Sequence, residues 1–221
     1  IESNIKEIIN YPEFYSKSKF GIKDAYVENN KLFISYSNQV SKNCFNTSIL
    51  VANINLNFLK FKKFFNPEDC VKVKNDYGSF NGHIAGGRIT NFINNKLLFS
   101  TGSFQYSIHA QNDKNIFGKI LSIDKNTGDW DIISMGHRNV QGLGYDDKND
   151  IIYSTEHGPI GGDEFNLNYK PNKLKVKNYG WPVSSYGEHY GGKIKKNEWK
   201  YKKAPLKKSH SKHGFIEPIK Y

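Results

Sequence analysis

"INNKLLFSTGS", residues 93–103, is the stretch that predicts the fold, because the same phrase occurs twice more. Residues 28–37 read "ENNKLFISYS" and residues 147–157 read "DKNDIIYSTEH". Each copy combines a polar turn, an apolar β-strand and a serine, and the copies recur at a spacing of roughly 50 to 65 residues. Several strands per repeat at such a spacing are typical of the blades of a β-propeller.

The sequence between the copies favours the same all-β fold. Residues 117–130, "FGKILSIDKNTGDW", read as two strands joined by a turn at "KNTG". Sustained amphipathic helical periodicity is nearly absent. We therefore predict a single domain over residues 1–221 with three to four blades. So few blades cannot close a ring, so we expect a partial propeller.

The composition fits a strand-rich chain and argues against a membrane span. Of the 221 residues, 37% are hydrophobic, with 14 Tyr and 15 Phe, and aromatic side chains favour strands. No run of 18 apolar residues occurs, so we predict no membrane-spanning segment. No signal peptide is present to indicate localisation.

The net charge of +11 is concentrated in one region of the chain. Residues 170–212 contain 13 Lys and two acidic residues, whereas the remaining residues balance to zero. Nucleic-acid binding would favour arginines interleaved with aromatics, and this region has no Arg. We predict a largely solvent-exposed, lysine-rich loop region and no nucleic-acid partner, with a polyanion-binding module as the weaker alternative.

The two cysteines, Cys44 and Cys70, flank a predicted hairpin. The segment between them reads as two strands around a polar turn at residues 55–57. Both cysteines lie equally far from residue 57, so a hairpin would place them opposite each other. Two buried free thiols are the alternative, and a disulfide is favoured if the protein is exported. We predict Cα atoms within disulfide reach, below about 7 Å.

A glycine-rich turn carries the first candidate catalytic residue, His83. The segment "SFNGHIAGGRITNF", residues 79–92, lets backbone and side chains approach a ligand closely. A histidine in such a turn can act as a general base, because its pKa lies near neutrality. It can also simply hydrogen-bond the backbone of the turn.

A second polar segment, "GHRNVQGL" at residues 136–143, contains Arg138, Asn139 and Gln141. Arginine occurs only at positions 88 and 138 in this lysine-dominated chain, and its planar fork is not interchangeable with lysine. An arginine beside an amide suits a flat anion with several carbonyl oxygens. Such residues can equally tie loops together.

The third segment, "EHGPIGGDE" at residues 156–164, has the character of a cation site. Irregular turns expose main-chain carbonyls, and hard cations such as Ca²⁺ take oxygen ligands. His157 has no cysteine or second histidine at the spacing of a zinc site. The alternating acidic pattern of an EF-hand loop is also absent.

Taken together, these segments resemble the motifs of the glucose/sorbosone dehydrogenase family. The resemblance covers roughly residues 20–221, and it is closer to the aldose sugar dehydrogenase branch. It implies a six-bladed β-propeller that uses pyrroloquinoline quinone (PQQ) and Ca²⁺ to oxidise the C1 hydroxyl of aldose sugars to lactones. The matching motifs, in order, are "HIAGGRI", "GKILSID…TG", "GHRNVQGL", "EHGPIGGDEFN" and "NYGWP…YGEHY".

The resemblance also implies roles in catalysis and cofactor binding. His83 matches the catalytic base that takes the proton from the sugar hydroxyl. Arg138 and Asn139 match the residues that contact PQQ, with Arg138 polarising the reacting quinone carbonyl. Gln141 matches a polar residue that supports the cofactor site. In this chain Val140 replaces the usual proline, and the segment from His83 to Arg88 is one residue longer than is common.

The metal ligands follow from the same resemblance. The carbonyls of Gly158 and Pro159 match ligands of the catalytic Ca²⁺. Glu164 and Tyr179 match ligands of a second, structural Ca²⁺, Tyr179 through its main-chain oxygen. The lysine-rich stretch between Glu164 and Tyr179 lengthens the loop that would hold this second ion.

The expected partners are an aldose sugar and an external electron acceptor, either a quinone or a cytochrome. The resemblance implies a periplasmic or secreted protein. It also places the family's first blade before Ile1 and further lysine and arginine cofactor contacts after Tyr221. The main alternative to an oxidoreductase is a non-catalytic sugar-binding or interaction propeller on the same scaffold.

Overall fold

The computed structural model describes residues 1–74, 80–171, 175–188 and 207–221. Antiparallel sheets dominate these residues, and the α-helices are only four residues long. The chain starts with a short strand and two such helices: β1 (Glu2–Ser3), α1 (Ile5–Ile8) and α2 (Glu13–Ser16). None of the helices described is long and apolar enough to cross a membrane.

The first blade is a sheet in the order β2–β3–β4–β6, in which β7 also pairs with β4. The short strand β5 pairs in parallel with β1. Strand β4 turns back into β6 as the hairpin prediction required, with Ile49 opposite Phe65. The strands of this part are β2 (Ile22–Glu28), β3 (Lys31–Ser41), β4 (Cys44–Asn53), β5 (Phe58–Leu59), β6 (Lys62–Phe65) and β7 (Val71–Lys72).

The second and third blades follow with the same up-and-down connectivity. Blade two runs β8–β9–β10–β11 and blade three runs β12–β13–β14, while β15 pairs in parallel with β11. Single-turn 3-10 helices occupy Ser107–Gln111 and Ser211–His213. The strands are β8 (Gly86–Phe92), β9 (Lys96–Thr101), β10 (Lys119–Asp124), β11 (Trp130–Met135), β12 (Val140–Asp146), β13 (Ile151–Glu156), β14 (Glu164–Tyr169) and β15 (Lys177–Asn178).

The three sheets are arranged as propeller blades around a common axis. The first strand of each blade lies at the inside, since β2 and β12 both pack against β8. Within the described residues the three blades do not close into a ring. The fold prediction of an all-β partial propeller is confirmed.

The repeated phrase proves to be the turn between the first and second strands of each blade. Asn30, Asn95 and Asp150 have positive φ values of 59°, 59° and 52° there, a conformation that Asn and Asp tolerate better than most residues. The recurring serine joins neighbouring blades. Ser35 donates to the Gly87 carbonyl of blade two, and Ser100 donates to a carbonyl of blade three.

The cysteines on either side of the first-blade hairpin form a disulfide. The Cα atoms of Cys44 and Cys70 lie 5.4 Å apart, which confirms the predicted pairing distance. Behind this bond lies an aromatic core that includes Phe45, Phe65 and Phe99, all nearly fully buried. The disulfide therefore links the start of β4 to the residue that precedes β7.

The lysine-rich region 170–212 differs from its prediction in one respect. Residues 172–174 and 189–206 lie outside the described part of the chain. Of the described portion, lysines such as Lys175 and Lys208 are exposed, but residues 179–187 are mostly buried, and Trp181 is 7% exposed. The expectation of a largely exposed loop is wrong for this segment, because its aromatic residues pack against the third-blade loops.

Candidate functional site

One buried residue, Asn139, joins the three polar segments at one end of the blades through its side chain and its main-chain carbonyl. Its Oδ1 accepts the main-chain N–H of Gly86 at 3.0 Å, and its Nδ2 donates to the His83 carbonyl at 3.3 Å. The Asn139 carbonyl accepts the N–H of His157 at 3.1 Å. Asn139 is 4% exposed. Segments that are far apart in sequence therefore meet at a single residue.

Arg138 lies beside this junction and is held by several contacts. Its main-chain N–H donates to Glu156 Oε2 at 2.7 Å, and its Nη1 donates to the His157 carbonyl at 2.8 Å. The guanidinium carbon lies 5.5 Å from the centre of the Trp181 ring, within cation–π range. A planar guanidinium matches the geometry of a carboxylate or a similar delocalised anion.

Arg138 lines a cavity of about 440 Å³ together with the turn that follows β13. The turn is closed by a hydrogen bond from Gly162 N to the Pro159 carbonyl at 2.8 Å. A Cβ atom on Gly158 would come 1.7 Å from the Gly162 carbonyl oxygen, so only glycine fits there. The cavity wall consists of Arg138, His157, Gly158, Pro159, Ile160, Gly161, Asp163 and Tyr221.

The residues of this cavity fit a hard cation and an anionic, carbonyl-rich cofactor. Residues 158–161 and Asp163 line the cavity, so main-chain carbonyls and one carboxylate are the oxygen donors that this segment can offer. Asp163 Oδ1 accepts the Gly158 N–H at 3.0 Å, which fixes the turn against it. Oxygen donors of this kind suit Ca²⁺, and the adjacent arginine suits a carboxylate or quinone oxygen.

His83 is not among the residues that line the cavity, but its main chain contacts Asn139. Its ring is exposed, while its main-chain N–H donates to Asn81 Oδ1 at 3.0 Å. Its carbonyl accepts the Asn139 side chain, so the main chain of His83 is tied to the residue that follows Arg138. The structure thus brings His83 and Arg138 to the same end of the molecule.

Gln141 and Arg88 occupy a separate position. Arg88 donates through Nε to the Gln141 carbonyl at 2.9 Å and through Nη1 to Asp24 Oδ1 at 2.7 Å. These bonds join the innermost strands of all three blades. The Gln141 side chain lines a second cavity of about 330 Å³ on the other side of His157. The second arginine of the chain therefore ties strands together and does not line the Arg138 cavity.

The two residues predicted for a second calcium ion are engaged by protein groups. Glu164 is 9% exposed; its Oε1 lies 3.2 Å from His210 Nε2, and its Oε2 accepts Asn166 Nδ2 at 3.2 Å. Burial raises the pKa of Glu164 and nearby Glu156 adds to this, although His210 opposes it.

The ring of Tyr179 stacks on His137, and its hydroxyl donates to the Leu167 carbonyl at 2.9 Å. Among the described residues, no group of three His, Cys, Asp or Glu side chains could hold a metal ion. The predicted ligand atom of Tyr179 is its main-chain oxygen, so the second calcium site stays a prediction.

Sequence reasoning missed the buried pair His137 and Glu156, in which Glu156 accepts the main-chain N–H of Arg138. His137 Nδ1 lies 2.9 Å from Glu156 Oε1, and both side chains are almost completely buried. The signal was present in β13, where Ile152, Ser154 and Glu156 alternate with more exposed residues. That alternation places Glu156 on the inward face of the strand.

Comparisons with known proteins show which family and which solved structures this chain is similar to. The family model described as "Glucose / Sorbosone dehydrogenase" matches residues 2–214. In sequence, the chain is 42% identical over 62 residues to "Aldose sugar dehydrogenase YliI" of Escherichia coli (strain K12), which covers 28% of this chain and 15% of that protein.

Solved structures show the same fold. A crystal structure of a glucose dehydrogenase superposes with a TM-score of 0.73 at 22% identity, covering 94% of this chain and 60% of that one. The PQQ-bound aldose sugar dehydrogenase of Streptomyces coelicolor gives a TM-score of 0.51 at 24% identity, covering 78% of this chain and 49% of that one. The chain thus spans between about half and 60% of the length of these structures.

Proposed function

The chain belongs to the glucose/sorbosone dehydrogenase family, and from this premise we propose that it is the site-bearing part of a PQQ-dependent aldose sugar dehydrogenase. The reaction is oxidation of the C1 hydroxyl of an aldose to the lactone. The observation that carries the proposal is the junction at Asn139, which gathers His83, Arg138 and the turn at 158–161 at one end of the blades.

The cavity beside Arg138 is the proposed place for the cofactor and its ion. Arg138 and Asn139 would hold PQQ, and the Gly158 and Pro159 carbonyls would hold Ca²⁺. When bound, PQQ supplies a quinone that accepts the hydride from C1, and Ca²⁺ polarises that quinone. Support comes from the glycine-rich turn and Asp163, which line the cavity beside Arg138, and from the related Streptomyces coelicolor structure with bound PQQ.

The chain's own residues account for the proton. As C1 loses its hydride, an imidazole nitrogen of His83 takes the proton of the C1 hydroxyl, and the C1–O bond becomes the lactone carbonyl. The exposed ring of His83 leaves room for a sugar to approach it. Arg138 offers its planar donors to the oxygen on which negative charge develops, which lowers the barrier.

We further propose that the protein works outside the cytoplasm and passes its electrons to an external quinone or cytochrome. The Cys44–Cys70 disulfide supports this proposal, because disulfides persist in oxidising compartments and are rare in the cytosol.

The test is sugar-dependent dye reduction by the full-length protein reconstituted with PQQ and Ca²⁺. His83→Ala should lower turnover by roughly 10²- to 10⁴-fold while leaving PQQ affinity mostly intact. Arg138→Lys should lower turnover by roughly tenfold or more, because a point charge cannot replace the planar fork.

Arg88→Lys is the matched control, since Arg88 joins strands and lies outside the cavity. It should cost stability but much less turnover. Sugar binding without dye reduction by the reconstituted wild type would instead favour the non-catalytic sugar-binding propeller. Wild-type turnover by His83→Ala would remove His83 from the reaction.

A further inference from the structure

Glu156, the last residue of β13, places an almost fully buried carboxylate directly beneath the Arg138 loop. Its exposure is 6%. Oε2 accepts two consecutive main-chain N–H groups, from Arg138 at 2.7 Å and Asn139 at 3.4 Å. Oε1 contacts His137 Nδ1 at 2.9 Å and accepts Asn166 Nδ2 at 3.2 Å. Both oxygens therefore have two partners each.

His137 supports this carboxylate from the opposite side. Its Nε2 lies 2.8 Å from the Ser134 hydroxyl, and its ring stacks on Tyr179 with centroids 4.8 Å apart. The imidazole is 0% exposed. It can neither rotate nor exchange its partner for water, so it sets the position of Oε1.

A carboxylate suits this place because it only accepts hydrogen bonds. A glutamine would offer one acceptor oxygen and would point an NH₂ group at one pair of donors. The ionised form is the one that all these donors require.

The hydrogen bonding of Arg138 and Asn139 continues at the residue after Glu156. The carbonyl of the next residue, His157, accepts a hydrogen bond from Arg138 Nη1. The His157 N–H donates to the Asn139 carbonyl. The main chain of residues 138–139 is thus bonded along its length to residues 156–157. Any movement of Glu156 would displace the guanidinium relative to the turn at 158–161.

We propose that Glu156, supported by His137, is a positioning residue that fixes the main chain of Arg138 and Asn139 so that the arginine faces the cavity. The expected effect on PQQ affinity rests on the proposed function. The structural part of the proposal, the immobilisation of Arg138, can be measured without any cofactor.

The test compares Glu156→Gln with Asp24→Asn in the full-length protein. Asp24 is a matched control, because its mostly buried carboxylate also accepts a main-chain N–H, from Ile89 at 2.8 Å, and holds the other arginine, Arg88. Phenylglyoxal modifies arginine, and peptide mass spectrometry gives separate rates for Arg88 and Arg138. A fluorescence titration with PQQ in the presence of Ca²⁺ gives the affinity.

We expect a reciprocal pattern. Glu156→Gln should raise the modification rate of Arg138 about tenfold and weaken PQQ binding about tenfold or more, because hydrogen bonds to a charged group are lost. It should leave the Arg88 rate unchanged. Asp24→Asn should raise only the Arg88 rate and bind PQQ as the wild type does.

The proposal is overturned if Glu156→Gln keeps both the Arg138 rate and PQQ affinity within about twofold of the wild type. If Glu156→Gln does not fold, His137→Phe replaces it, since phenylalanine keeps the ring on Tyr179 but removes the partner of Oε1. If the wild type itself binds no PQQ, the proposed function fails, and the two modification rates alone decide whether Glu156 positions Arg138.

Discussion

Replacing Ser100 by alanine tests how the blades are held together. The Ser100 side chain is 0% exposed. Its hydroxyl accepts the Arg88 N–H at 2.9 Å and donates to the Val140 carbonyl at 3.0 Å. The pairing of β8 with β9 is irregular between Gly86 and Ile89, and the pairing of β12 with β13 is irregular between Val140 and Gly142. The serine therefore provides a hydrogen-bond partner for two main-chain groups, the Arg88 N–H and the Val140 carbonyl, at positions where the strand pairing is irregular.

Ser100→Ala would leave the Arg88 N–H and the Val140 carbonyl without this partner. An unsatisfied buried polar group costs about 1–3 kcal/mol. Arg88 lies partly at the surface, where water can replace some of the loss, so we expect a total of about 2–4 kcal/mol. A domain of this size loses about 2–4 °C in Tm per kcal/mol, which gives a fall of about 5–15 °C.

Equilibrium unfolding in urea, followed by the fluorescence of the three tryptophans, measures this loss. Ser35→Ala, which removes one inter-blade hydrogen bond that Ser35 donates to the Gly87 carbonyl, should cost less, about 1–2 kcal/mol. Ser16→Ala removes an exposed hydrogen bond to Pro12 and should change stability by no more than about 0.5 kcal/mol. A loss for Ser100→Ala as small as that for Ser16→Ala would refute the inter-blade role.

Three further predictions concern other parts of the fold. Asn139→Asp should lower the Tm more than Asn139→Ala at neutral pH. In the aspartate, a carboxylate oxygen would replace Nδ2 and face the His83 carbonyl oxygen, so that two acceptors would meet. Equal shifts of the two variants in a thermal melt would contradict this. Burial lowers the pKa of Lys119 from 10.5 to about 7. The unfolded state therefore binds more protons than the folded state between these values, and stability rises with pH across that window. Lys119→Met should abolish this rise in urea midpoints; an unchanged slope would exclude Lys119 as its source. Replacing Cys44 and Cys70 by serine should cost about 2–4 kcal/mol, and a reductant should then shift only the wild-type midpoint.

Features with a local pattern could be predicted from the sequence. The turn of the repeated phrase demands residues that tolerate positive φ, and Asn30, Asn95 and Asp150 supply them in all three blades. The hairpin between Cys44 and Cys70 follows from alternating residues around a polar turn, and its symmetry places the two cysteines within reach. Polar loops rich in glycine marked the three segments of the candidate site.

Features that depend on how blades pack were decided only by the tertiary structure. Nothing near Asn139 in sequence indicates that its side chain joins Gly86 and His83 while its main-chain carbonyl accepts the N–H of His157. The sequence also does not indicate that Arg88 joins strands of three blades, or that residues 179–187 are mostly buried. A side chain's local pattern shows which way it faces along its own strand. Its partners are set by the twist and spacing of sheets that are distant in the chain, and those are properties of the packed propeller.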